Sequence, residues 1–165
     1  MNKIFFIADF FSDEVKGGAE LVDSVLCDFL TSRGMEVVKI RSFDSDQIRL
    51  SLSEESYYII SNFTGMSEET KITLRNSNYC IFEHDHKYLT TRDPSMFPNF
   101  QAPPNVIINR DFYAHADKVF CQSRKHKQVV ENNLKLNNIV NLGCSLWSDE
   151  ELSSLESSLE IEKNG

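Results

Sequence analysis

The chain has 165 residues and a mass of 19.0 kDa, with 41% hydrophobic and 25% charged residues, which excludes a disordered chain and suits one globular domain. A formal net charge of −8 and a pI near 5.0 argue against a general nucleic-acid binder, which carries a basic face. No apolar run approaches the ~18 residues of a spanning helix, and no signal-peptide pattern opens the chain, because Asp9 ends the short run Ile4 to Ala8.

Ile4 to Ala8 is continuously apolar, the pattern of a strand buried on both faces of a parallel sheet. A polar loop leads to Gly17-Gly18, and the period then changes. Leu21, Val22, Val25, Leu26, Phe29 and Leu30 form one stripe of an amphipathic helix, with Gly34 as its stop. Val37 to Ile40 reads as a second strand, so the first 41 residues form a right-handed βαβ unit. A short helix is expected within 44–53, and Tyr57 to Ile60 is a third strand. Ser67 caps a helix running to about Asn76. Tyr79 to Phe82 is a fourth strand, running into Glu83-His84-Asp85-His86. Residues 87–104 carry four prolines and read as a long irregular segment, followed by a helix over 105–116. Lys118 to Cys121 is a fifth strand, 124–134 a helix capped by Ser123, and Ile139 to Leu142 a sixth strand. A last helix opens at Ser148, with Leu152, Leu155 and Leu159 on one stripe.

This alternation predicts an α/β fold: a doubly wound, mainly parallel, Rossmann-like sheet of about six strands with helices on both faces. The body spans 1–147, and 148–165 is an acidic terminal helix or linker. That tail holds six acidic residues and one basic residue, so it contributes −5 of the −8 and leaves the body close to neutral. Cys27, Cys80, Cys121 and Cys144 form no CxxC or CxxH pair, which argues against zinc. Three of them sit in apolar runs and read as reduced thiols, the pattern of a cytoplasmic protein.

Ligands of doubly wound sheets bind beyond the carboxyl ends of the strands. Three constellations fall there. Gly17-Gly18-Ala19-Glu20 opens a helix, where free amides favour an anion, although neither GxGxxG nor GxxxxGK[ST] is present. Glu83-His84-Asp85-His86 groups two imidazoles with two carboxylates. In an extended segment His84 and His86 point to opposite sides, which disfavours chelation of one ion. Ser123-Arg124-Lys125-His126-Lys127 places cations in the first turn of a helix, against its dipole, as expected if they face an anion. Arg92 and Arg110 could add to such a pocket. Each constellation also has a plain structural reading, as a flexible loop, a polar strand end or a solvated basic turn.

Taken in order, these segments resemble the N-terminal domain of retaining GT-B-fold glycosyltransferases that use nucleotide-sugar donors. The carriers are Gly17-Gly18-Ala19-Glu20, the helix-to-strand turn Ser32-Arg33-Gly34-Met35-Glu36-Val37, and His84-Asp85 after the fourth strand. Ala116 to Ser123 and Ile139 to Cys144 complete the set; Met35 stands where the family often has His, and no Asp follows Gly143. The resemblance implies an acceptor-side domain in which Gly17 and Gly18 approach the donor phosphates and His84 acts at the transferred sugar. Glu20, Asp85, His86, Arg92, Ser123, Arg124 and Lys127 are the further candidate contacts with substrate. It implies a nucleotide-sugar donor as substrate, no cofactor, no metal, a glycan or other hydroxyl acceptor, and a C-terminal donor domain in cis or in trans. Without that second domain the chain is expected to have little transfer activity. The rival reading is a non-catalytic Rossmann- or flavodoxin-like module that binds a small anion or a protein partner. A receiver domain is disfavoured, because Ser61-Asn62 stands where the third strand would need a phosphoacceptor Asp.

Overall fold

The structure, a computed structural model, describes residues 3–52 and 56–159. Six strands form one sheet: β1 (Lys3–Ala8), β2 (Glu36–Arg41), β3 (Tyr57–Ile60), β4 (Asn78–Glu83), β5 (Lys118–Cys121) and β6 (Ile139–Asn141). Every pairing is parallel and the order is β2-β1-β3-β4-β5-β6. The crossovers carry α1 (Gly18–Ser32), α2 (Ser45–Ser51), α3 (Glu68–Leu74), α4 (Arg110–His115) and α5 (Arg124–Leu134), and α6 (Asp149–Leu159) follows β6. The fold is a doubly wound, Rossmann-like α/β sheet. Ser53 of the second expected helix and residues 160–165 of the acidic tail lie outside the described residues. No helix among the described residues is long and apolar enough to cross a membrane.

Strand alternation sends side chains to two unequal layers. Phe5 and Ile7 point to the larger one, with Tyr58, Ile60, Tyr79, Ile81 and Val119, where Ile48 of α2, Leu74 of α3, Phe112 of α4 and Leu134 of α5 pack on them. Phe6 and Ala8 point the other way, where Val22 and Cys27 of α1 cover them. Four helices therefore share one face of the sheet, and α1 lies on the other. Cys27, Cys80 and Cys121 are buried thiols and Cys144 is exposed. Burial pushes the Cys27 and Cys80 thiols up to about 12.

The sheet changes direction at β1, because β2 and β3 lie on opposite sides of it. Asp9, next after β1, ties this point together. Its carboxylate accepts from the Thr64 and Gly65 amides at 3.0 Å, and from the Ser42 and Thr64 hydroxyls. Burial pushes this carboxyl up, but the four hydrogen bonds outweigh that and hold it below the usual range.

One expected element differs. In place of a helix over 105–116, Pro104–Val106 forms a 3-10 turn, Ile107 runs extended, and α4 begins only at Arg110. Two features divide the segment. Ile107 bridges antiparallel to Leu89, and Asn109 is left-handed at φ 56°. The Asn109 side chain accepts a hydrogen bond from Lys71 Nζ at 2.9 Å and donates one to the Lys87 carbonyl at 2.8 Å. Tertiary partners thus interrupt the helix that local pattern favours.

Candidate functional site

A cleft of about 420 Å³ opens at the carboxyl end of the sheet. One wall is the first turn of α1, with Gly18, Ala19, Leu21 and Val22. The opposite wall comes from the ends of β4 and β5, with His84, Asp85 and Gln122. Ser145, Leu146 and Trp147 close it on the β6 side, and Glu151 of α6 stands at its edge. Trp147, the sole tryptophan of the chain, is 51% exposed.

Helix α1 has its N-terminus here because Gly17 takes the extended cap conformation, at φ −98° and ψ 165°. Among the described residues no side chain caps Gly17. The Glu20 carboxylate folds back over Gly17 instead, so that a Cβ added at Gly17 would collide with it. A carboxylate in this turn suits the positive end of the helix dipole. An anion approaching these amides would meet Glu20 first.

His84 is fixed from both sides. Its Nε2 lies 3.0 Å from Asp23 Oδ1, its Nδ1 lies 3.2 Å from Gln122 Nε2, and its ring meets the Phe82 ring edge-on. With Nε2–H donating to Asp23 and Nδ1 accepting from the Gln122 amide, both nitrogens are filled. Asp23 is only 1% exposed, and its other oxygen accepts from Ser61 Oγ at 2.5 Å. The chain Ser61–Asp23–His84–Gln122 therefore clamps α1 to the ends of β3, β4 and β5. Asp23 and Gln122 were not among the residues singled out from sequence. Asp23 had a signal: it shares a core-facing helix stripe with Leu26, Cys27 and Leu30, and a carboxylate there needs a buried partner.

The turn after β4 is organised by buried charge. Glu83 is fully buried; its carboxylate accepts from the Tyr113 hydroxyl and from the Asp85 amide at 3.1 Å, with Lys87 Nζ at 3.9 Å. Burial pushes Glu83 up, but the Lys87 ammonium and the Tyr113 hydroxyl more than offset this and hold the carboxyl low. Lys87 also binds Asp85 Oδ1, and Arg92 pairs with Asp85 Oδ2. Asp85 thus lines the cleft with both oxygens held by cations.

Of the residues picked from sequence, the cleft wall brings together Gly18, His84 and Asp85, with Gly17 capping the adjoining helix. The segment bends after Glu83 instead of running extended, and His86 takes partners different from those of His84. It is left-handed at φ 58°, contacts the Tyr88 hydroxyl through Nδ1 at 3.0 Å, and meets the His126 ring at 4.7 Å. Ser123 caps α5 by accepting from the His126 amide at 3.1 Å, and Lys127 pairs with Glu131 at 3.3 Å. Arg124 is exposed, and Lys125 sits over the Phe100 ring. Glu20, His86, Arg92, Ser123, Arg124 and Lys127 lie outside the lining of the cleft. Residues 87–104 do not fill it either; this segment packs its Tyr88 and Leu89 into the larger core and binds Asn133 of α5 through the Ala102 amide and the Phe100 carbonyl.

Comparison of the sequence with protein-family models and with curated proteins finds no match.

Proposed function

We propose that the protein is the acceptor-side domain of a retaining, nucleotide-sugar-dependent glycosyltransferase of the GT-B kind, and that a C-terminal donor domain completes it. The observation that carries this reading is convergence. The Gly17-Gly18 helix start and His84-Asp85, separated by more than sixty residues, meet across one cleft at the carboxyl end of the sheet. Trp147 adds an open aromatic face of the kind that stacks on a sugar ring. In the assembled enzyme the Glu20 carboxylate would swing off Gly17 so that the α1 amides face the leaving diphosphate, and the acceptor would lie against Trp147 and Gln122. His84 then serves as a positioning group, holding Gln122 and the α1 wall.

The sole tryptophan gives a direct test. Acceptor saccharides added to the isolated chain should change Trp147 emission, and Trp147→Ala should remove the saccharide binding seen by calorimetry. Sugar transfer should appear only when a donor half is supplied. An emission that no saccharide or nucleotide sugar alters, together with no transfer in the reconstituted pair, would overturn the proposal. The filled nitrogens of His84 favour one other reading, a module that binds its ligand without catalysing. That reading predicts the fluorescence response with no transfer in any combination.

A further inference from the structure

Beside α1 the thinly covered face of the sheet forms a trough of about 370 Å³ in which every lining side chain is apolar. Leu26 and Phe29 of α1 form one side, Ile59, Phe82 and Phe120 of the strands form the floor, and Leu142 lies at the β6 side. Phe29 is 52% exposed. A continuous apolar surface of this kind marks an interaction site.

The same chain carries a segment that matches it. Helix α6 presents Leu152 and Leu155, 45% and 48% exposed, one turn apart on a single stripe. At helical spacing Asp149 and Glu156 flank that stripe on one side and Glu151 on the other. Among the described residues none of these carboxylates has a cationic partner. Two cations near the trough are in the same condition, and one carboxylate, Asp117, lies near Cys80 of the lining. Arg33 sits over the Phe29 ring at 5.0 Å, and Lys118 shares the strand face of Phe120; neither has an anionic partner among the described residues. Leu146 lines the trough and α6 begins at Asp149, so the helix springs from the trough's end yet contributes no residue to its lining.

We propose that the trough receives the acidic, leucine-striped α6 of a second copy of this chain, in a reciprocal exchange that makes a two-fold dimer. Apolar burial of Leu152 and Leu155 drives the association, and the acidic flanks against Arg33 and Lys118 set its direction. Each copy offers one helix and one trough, so the exchange closes on itself.

Sedimentation velocity over a micromolar concentration series tests this on the full chain. The wild type should show a monomer–dimer equilibrium. Phe29→Asp in the trough, and the pair Leu152→Asp with Leu155→Asp on α6, should each give monomers. All three side chains are half exposed, so circular-dichroism melting should show folded variants. Mixing the two variants should restore a heterodimer, because one intact helix meets one intact trough. High salt should weaken the dimer, and Arg33→Glu should do so at low salt. A wild type that stays monomeric, variants that dimerise like the wild type, or a mixture that stays monomeric would each overturn the exchange. A monomer whose α6 folds into its own trough, or a trough taken up by another protein, falls among those outcomes.

Discussion

Replacing Asp23 by alanine removes the acceptor of the buried Ser61 Oγ and of His84 Nε2 at the cleft wall. Each stranded donor costs the desolvation of its polar group, so Asp23→Ala should destabilise the fold by ~1–3 kcal/mol, read by urea denaturation. The His84 ring should also lose its fixed orientation, which the nitrogen chemical shifts of the imidazole would report. His84 was legible in the sequence because a histidine at the end of an apolar strand in an α/β pattern faces the ligand end of the sheet. Its pairing with Asp23 and Gln122 was not, because they lie 61 and 38 residues away in the chain, and only the register of α1 and β5 brings them together. Lys127 shows the converse. A cation in the first turn of a helix reads as an anion ligand, yet a glutamate one turn on takes it up.

Helix α1 carries one wall of the cleft and one wall of the trough, so its ends matter more than its length. Its C-terminus is a Schellman turn: the Gly34 amide donates to the Thr31 carbonyl at 2.9 Å, and the Met35 amide to the Leu30 carbonyl at 3.2 Å. Gly34 is left-handed at φ 80°, with nothing near its missing side chain. Gly34→Ala should therefore cost ~1 kcal/mol through backbone strain alone, seen as a lowered melting temperature with an unchanged fold. This stop was plain in the sequence, and so were all six strands, because each centres on a short apolar run bounded by polar turns. The helix expected over 105–116 was not delivered in full. Its pattern is acceptable locally, but the pairing of Ile107 with Leu89 and the side-chain bonds of Asn109 are long-range facts. Residues 87–104 gave only prolines to read, and three of these start the 3-10 turns Pro94–Met96, Pro98–Phe100 and Pro104–Val106.

At the scale of the whole molecule, the carboxyl end of the sheet makes the fold sensitive to acid. His126 of α5 is pushed down to about 4, chiefly by burial and next by His86, while Glu83 pulls the other way. His86 is lowered too, again first by burial. Between roughly pH 6.5 and 4 the unfolded chain binds protons that the folded chain refuses, so stability rises with pH across that window and falls as the solution is acidified. Below about pH 4.5 the low-lying Glu83 carboxylate adds to the loss in the same direction. Both histidines keep some contact with solvent, which limits the His126 contribution to ~1–2 kcal/mol. Urea midpoints measured from pH 7 to 4 should therefore fall, and His126→Gln should flatten the upper part of that decline. Composition showed none of this: an acidic protein by count, with a tail that supplies most of the excess, keeps its pH-sensitive groups in the neutral body.

The strand order has a consequence for how the chain reaches its native state. Among the described strands β1 lies inside the sheet, β2 takes one flank, and β3, β4, β5 and β6 follow on the other flank in chain order. Each of β4, β5 and β6 docks beside the strand just before it in the chain, and only β3 reaches back past a neighbour, to β1, so the entropy of closing long loops stays small for a parallel sheet. Growth proceeds outward from one moving edge. At that edge β6 is the shortest of the described strands at three residues, and it leaves little open edge for a stray chain to extend.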